Sequence, residues 1–393
     1  MLSRRLLLST GAGLAACARL AAAVKPIRIT AVDLYEVSLP VSQTEAEAGV
    51  MYRYQVAEVR TDAGVTGYSF AGHPPAALPH LRQLLVGRDL FAVEQLVHDG
   101  LYRWGGVEHA LWDAIGKVAR QPVYKLLGGS RTSVRAYLTC VWKGNPDQSQ
   151  VPYREQAAMA ARIQKAGFKG MKIRAWRPYP LDDAEACAVV KAAVGADFHL
   201  MFDRTAHAPE VVGQKVWPYE IGLKVARALQ KNGAYWLEEP FARDDFESPA
   251  RLAREVDILI TGGEGYVGLD SFRQCLLHQT YDILQPEGRG SGGIFTVRKV
   301  ATLAESFHVP VILHGTMGLM LAGWLNATLA IGAPWQEVAL ITPPLLPQEQ
   351  WAPALKVLKT TEVFVIRNGE LQAPEYPGLG LDLDEEALRR FRV

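Results

Sequence analysis

The chain is poor in cysteine, with four in 393 residues. Cys17 sits in an N-terminal leader-like stretch. The other three, Cys140, Cys187 and Cys275, are odd in number, and no pair has metal-ligand spacing. A disulfide framework and a cysteine metal site are both excluded, and these thiols read as small buried hydrophobes. Charge of one sign is lacking too. The net charge is +1 with no block of like charge, so the concentrated basic face of a nucleic-acid binder is missing. The apolar segment near the N-terminus is too short to span a bilayer comfortably, and no transmembrane segment is expected in the mature chain. No Gly-x-Gly-x-x-Gly opens a helix after the first strand of the α/β region, which argues against a dinucleotide fold.

What remains is ordinary globular composition, 49% hydrophobic and 21% charged, over a length that suggests two domains. Residues 1–24 stand apart. Ser3-Arg4-Arg5 followed by an apolar, small-residue run to Ala23 is a twin-arginine export signal in pattern. Ala21-Ala-Ala23 offers a cleavage site, and Leu14-Ala-Ala-Cys17 offers a lipoprotein site; simple cleavage into the periplasm is favoured. Such export carries folded proteins, which suits an enzyme loaded with metal before transport.

Residues 25–132 read as an α+β module. Period-two alternation over Ile27–Val37 and Tyr54–Arg60, with a turn at Thr61-Asp-Ala-Gly64, predicts an antiparallel sheet. Helical periodicity follows. In its last helix Leu111, Ile115 and Val118 mark a buried stripe, and Asp113 with Lys117 forms an i, i+4 pair on an exposed face. Ser42–Gly49 is a candidate mobile loop. Residues 133–345 alternate near-continuous apolar strands with helices in about eight steps, as a TIM-type (β/α) barrel does. The segment 346–393 returns to the first module.

Polar residues recur at the strand ends, where barrels carry their chemistry. Asp203 ends Phe198-His-Leu-Met-Phe-Asp203, two acids end Tyr235-Trp-Leu-Glu-Glu-Pro240, and Glu264 ends Ile258-Leu-Ile-Thr-Gly-Gly-Glu264. Neighbouring strands lie about 4.8 Å apart, so these carboxylates converge and repel. A hard divalent cation, Mg²⁺ or Mn²⁺, relieves the repulsion. Glu238 and Glu239 point to opposite sides of their strand, and the alternation alone does not choose between them.

The chain resembles the enolase superfamily, in its mandelate racemase/muconate lactonizing enzyme branch. The motifs that carry the resemblance are Glu108-His-Ala-Leu-Trp-Asp-Ala-Ile-Gly-Lys117 with Leu126-Leu-Gly-Gly129, Lys172-Ile-Arg174, Asp203, Trp236-Leu-Glu-Glu-Pro240, Gly263-Glu264, Gln285-Pro-Glu287 with Gly292-Gly293, and His314. It implies a capping domain on a modified (β/α)7β barrel. It implies one Mg²⁺ per chain on Asp203, Glu238 and Glu264, and removal of the proton α to a carboxylate. Lys172 and Arg174 match the family's Lys-x-Lys strand, with arginine in place of the second lysine; arginine is a poor proton acceptor. His314 with Glu287 resembles a His–Asp dyad, with the carboxylate one methylene longer. Glu337 matches an acid that hydrogen-bonds the substrate carboxylate. Tyr52, Arg53 and Tyr54, from the capping domain, are candidate substrate contacts. Thr205 departs from a frequent asparagine, and His207–Trp217 resembles an insertion. Family membership also implies a homo-oligomer.

The expectation is therefore a Mg²⁺-dependent lyase that dehydrates a sugar acid or other hydroxy acid. A racemase or epimerase is the second reading, and an exported metal-containing binding protein without turnover is the rival from another class.

Overall fold

A computed structural model describes residues 25–43, 46, 52–142, 151–204, 216–340 and 343–393. The expected export signal, Thr205, and most of the Ser42–Gly49 loop and of the 207–217 segment lie outside the described residues.

The first module begins with strands β1 (Ile29–Leu39), β2 (Tyr52–Thr61) and β3 (Thr66–Ser69), antiparallel in that order. The β2–β3 turn closes with Gly64 N donating to Thr61 O, and Gly64 takes φ +71°. Helix Gly105–Ala119 packs beneath the sheet so closely that a Cβ on Gly67 of β3 would lie 2.1 Å from Ala110 O. This helix is buried around its whole circumference from Gly105 to Gly116, because the cap sheet covers one side and the barrel the other. The single stripe read from sequence was too narrow. Asp113 does meet Lys117 at 2.6 Å, but Asp113 is buried rather than exposed.

The second module is a parallel sheet: β4 (Ser133–Cys140), β5 (Gly170–Arg174), β6 (His199–Asp203), β7 (Trp236–Glu238), β8 (Leu259–Gly262) and β9 (Ile283–Leu284), with β10 (Trp335–Leu340) pairing on the far side of β4. Residues 310–314, where the alternation would place a strand, do not form a continuous one. Parallel bridges Leu284↔Val311, Glu287↔His314 and Thr316↔Val338 lead from β9 through this segment to β10. Pro286 and Pro310 each remove an amide donor, which shortens β9 and breaks the ladder into bridges. The result is a barrel-like ring wrapped by helices, among them Tyr153–Lys165, Asp182–Val194, Tyr219–Lys231, Gly293–Glu305 and Leu321–Ile331. Inside the ring Tyr137, Met201, Trp236, Ile283, Ile312 and Trp335 form their own packed layer. Among the described residues no helix is long and apolar enough to cross a membrane.

The C-terminal segment divides its contacts. Strands β11 (Ile366–Arg367) and β12 (Glu370–Gln372) form a hairpin whose β12 pairs antiparallel with β4. Asp384 then caps helix Glu385–Arg390 by accepting from Glu386 N and Ala387 N, and the chain ends against β1, where Ser38 N donates to Phe391 O.

Candidate active site at the strand ends

Strand register assembles the site. Arg174 on β5 pairs in register with Asp203 on β6, and Asp203 with Glu238 on β7. Lys172 lies two residues before Arg174 and so shares its face. The fully buried Lys172 Nζ sits 2.8 Å from Glu238 Oε2, 2.8 Å from Glu337 Oε1 and 3.5 Å from Asp203 Oδ2. Arg174 ion-pairs with Asp203 Oδ2, and its guanidinium lies 5.2 Å from the Trp176 ring centre. Gln285 Nε2 donates to Glu238 Oε2 at 3.1 Å.

Glu264 lies two residues beyond the end of β8. Its Oε1 accepts from Arg243 at 3.3 Å, and its Oε2 faces His314 Nε2 at 2.9 Å. Glu239 leaves the strand at φ +42° and turns to Arg243 at 3.1 Å and to Gly263 N at 3.1 Å. The two consecutive glutamates therefore serve different neighbours, as the alternation required.

Burial disfavours charge on Lys172, but Glu238, Glu337 and Asp203 outweigh it and hold the amine above its ordinary pKa. Burial and then the Asp203 charge push Glu238 up to about 8, against the pull of Lys172. Burial also opposes protonation of His314, yet Glu264 and Glu337 raise it to about 10.

Two expectations need correction. His314 and Glu287 meet through a backbone bridge, but their side chains do not pair as a dyad. The longer Glu287 side chain folds back onto its own turn, where Oε2 accepts from Arg289 N at 3.1 Å and from Gly290 N. His314 Nδ1 is buried without a hydrogen-bond partner. Glu337 is likewise not open to the barrel mouth. It is buried, accepts from Tyr137 OH at 2.7 Å and from Thr139 Oγ1, and pairs with Lys172. Burial opposes its ionisation, but Lys172 and His314 lower it to about 2.

The capping-domain trio alternates along β2. Tyr52 and Tyr54 are buried; Tyr52 OH donates to Gln350 O, and Tyr54 OH accepts from Leu319 N at 3.2 Å. A Cβ on Gly318 would meet both rings, so this pair packs on the turn that follows His314. Arg53 faces the other way and pairs with Glu36 at 2.8 Å in solvent.

Arg243, Gln285, Tyr137 and Thr139 were missed as site residues. Arg243 had a legible signal, four residues after Glu239; Tyr137 and Thr139 had none, since their roles come from the register of β4 against β5 and β10.

The donor set fits a hard divalent cation. Asp203, Glu238 and Glu264 offer oxygen donors at three successive strand ends, and each faces a basic side chain, Lys172, Arg174, Arg243 or His314. Glu238 Oε1 is buried with no hydrogen-bond partner. Among the described residues no three acidic, histidine or cysteine side chains are yet drawn onto one point as metal ligands; the three carboxylates are instead held individually by Lys172, Arg174, Arg243 and His314.

Comparison with known proteins agrees with this architecture. Residues 29–128 match the mandelate racemase / muconate lactonizing enzyme N-terminal domain, and residues 154–387 match the enolase C-terminal domain-like family. The chain belongs to the enolase superfamily. Its N-terminal match assigns it to the mandelate racemase/muconate lactonizing enzyme branch. It is 31% identical to an arabinonate dehydratase of Saccharolobus solfataricus over 73% of this chain and 71% of that one. It is 28% identical to a 3,6-anhydro-alpha-L-galactonate cycloisomerase of Streptomyces coelicolor over 92% of this chain and 98% of that one. Among solved structures, a D-glucarate dehydratase from Agrobacterium tumefaciens complexed with magnesium is similar at TM-score 0.77 and 28% identity, covering 93% of this chain and 99% of that one.

Proposed function

We propose that the chain is a Mg²⁺-dependent dehydratase of a sugar acid or related hydroxy acid. Asp203, Glu238 and Glu264 would hold the cation, and a Mg²⁺ bound there would supply positive charge that stabilises the enediolate. Arg174 binds a carboxylate oxygen. His314 Nε2 takes the proton from Cα, and the electron pair of that bond passes into the carboxylate. Collapse of the enediolate breaks the C3–oxygen bond, and the proton on His314 leaves with the hydroxyl as water. The resulting enol becomes a 2-keto-3-deoxy acid. His314 must be neutral to begin, so the upward pull of Glu264 has to be relieved when that carboxylate is engaged elsewhere.

The observation that carries dehydration over racemisation is that, among the described residues, the Lys172-Ile-Arg174 strand supplies no second base. Arg174 occupies the position of the second lysine, and Lys172 Nζ is directed into Glu238, Glu337 and Asp203. The sugar-acid names of the relatives support the substrate class. Incubation with Mg²⁺ and a panel of sugar acids in D₂O tests the proposal: a keto-acid product is expected, and His314→Asn removes it. Deuterium at Cα of recovered substrate, with inverted configuration and no keto acid, would establish the racemase instead. Binding without either outcome would establish the binding protein. We also propose export through the twin-arginine segment and assembly as a homo-oligomer, tested by cell fractionation and by light scattering.

A further inference from the structure

The sequence Gly262-Gly-Glu-Gly265 brackets Glu264 with glycines, and the structure gives each a reason. A Cβ on Gly262 would meet Tyr281 Cζ at 2.6 Å and Glu239 Cγ at 2.9 Å. Gly263 takes φ +111°, a conformation that favours glycine. A Cβ on Gly265 would lie 1.4 Å from Arg243 Nη1. The guanidinium of Arg243 therefore lies directly on the Gly265 backbone.

Asp203 and Glu238 are fixed by strands β6 and β7 through ladder hydrogen bonds. Glu264 has no such support, because β8 ends at Gly262 and Glu264 sits between two glycines. Its carboxylate has to be aimed by side chains. Arg243 Nη2 reaches Glu239 Oε2 at 3.1 Å and Glu264 Oε1 at 3.3 Å. Arg243 is held in turn, since Tyr266 OH donates to its carbonyl at 2.6 Å. Glu239 is tied to the same loop through Gly263 N at 3.1 Å.

We infer that Arg243 is a positioning residue: it straps Glu264 to Glu239 and occupies Oε1, so that Oε2, which here faces His314 Nε2 at 2.9 Å, is the oxygen a cation held with Asp203 and Glu238 would take. This rests on the metal role proposed above for Glu264. Gly265 belongs to the device because a side chain there would push the flexible guanidinium aside rather than the backbone. The second glutamate of the Glu-Glu-Pro stretch acquires a role as the anchor of the strap.

The test is cation affinity in the full chain, measured by Mg²⁺ calorimetry and by Mn²⁺ titration, for wild type, Arg243→Gln, Arg243→Lys and Gly265→Ala, at a temperature where thermal scans show each folded. Loss of an outer-shell partner weakens metal binding by about 10- to 100-fold. Arg243→Gln is expected to fall in that range, Gly265→Ala to match it although the arginine is still present, and Arg243→Lys to recover part of the loss. A structural role alone would lower the melting temperature without this pattern in affinity. An affinity for Arg243→Gln or for Gly265→Ala within about twofold of wild type overturns the strap. Should Arg243→Gln not fold, Gly265→Ala decides it. If wild type takes up no Mg²⁺, the proposed function fails and the strap with it; if wild type binds and the variants bind equally, the strap alone fails.

Discussion

Two buried acids, Glu108 in the cap helix and Glu238 at the end of β7, are both pushed up to about 8 by burial, yet they are treated oppositely. Glu108 is saturated by neutral donors. Its Oε2 accepts from Ile294 N at 2.8 Å, and its Oε1 from Phe295 N at 2.9 Å and Trp112 Nε1 at 2.6 Å. Those amides belong to the first turn of helix Gly293–Glu305, so the carboxylate caps a barrel helix from the capping domain. Glu238 instead takes Lys172 and Gln285 on one oxygen and leaves the other without a partner, while Asp203 beside it raises its pKa further. An acid that joins domains has its lone pairs filled by the fold. An acid reserved for a ligand is charge-balanced yet keeps an oxygen open, and its fold bears that cost.

The sharpest way to break this contrast is Glu238→Gln. It should weaken Mg²⁺ binding by at least about 100-fold, beyond the loss of an outer-shell partner, and abolish turnover. The thermal transition should persist, since the amide still fills the space and like-charge repulsion with Asp203 is gone. Metal calorimetry beside a thermal scan checks it; a protein that unfolds while its Mg²⁺ affinity survives would make Glu238 the structural acid.

Glu108→Ala should do the reverse. It strands three buried donors, each costing about 1–3 kcal/mol, so a loss of about 3 kcal/mol or more is expected in urea unfolding. Mg²⁺ affinity of the folded fraction should stay at the wild-type value. A drop in affinity with little loss of stability would mean that the cap helix acts on the metal site.

These contrasts mark how far the sequence could be read. The strand-end acids were legible because apolar runs that stop in Asp203, Glu238 and Glu264 are unusual. The order of β5, β6 and β7 followed from the strand–helix alternation. The partner of His314 was not legible: a bridge from Glu287 to His314 places the side chains side by side, but only the turn 287–290 decides that the longer carboxylate folds back. The role of Glu337 was hidden for the same kind of reason, since it depends on β10 closing against β4 and bringing Tyr137 and Thr139 to one carboxylate. Asp113 was placed on a solvent face because the periodicity of one helix cannot see the chain segments packed over it. Its Oδ2 and Oδ1 accept from Tyr68 N and Leu379 N, each at 2.8 Å, and Leu379 lies in the far C-terminal segment.

The same junction predicts an acid response. His109 lies edge-on to Trp324 with Nε2 3.1 Å from Gly288 O, and burial lowers it from 6.5 to about 4. Burial and the nearby Arg289 also hold His73 down to about 4. Between pH 6.5 and about 4 the unfolded chain binds a proton at His109 that the folded chain refuses, so stability falls as pH falls through this window. One proton corresponds to a slope of about 1.4 kcal/mol per pH unit. Urea midpoints between pH 7 and 4 should show the decline, and His109→Gln should flatten it by about that amount. An unchanged slope would remove His109 from the acid response of the interface.

The smallest expected effect concerns Arg53, which sequence placed among substrate contacts beside Tyr52 and Tyr54. Strand alternation puts the two tyrosines on the turn after His314 and turns Arg53 to the opposite face, where it pairs with Glu36 while 68% exposed. Exposed pairs of this kind contribute about 0–1 kcal/mol. Arg53→Ala should therefore leave kcat/KM on the dehydrated substrate within about threefold of wild type, with a stability change inside that same range. Tyr54→Phe provides the matched control, since it removes the acceptor for Leu319 N next to the site while keeping the ring. If Arg53→Ala raises KM tenfold and Tyr54→Phe does not, the start of β2 rearranges on binding so that the arginine, not the tyrosines, meets the substrate.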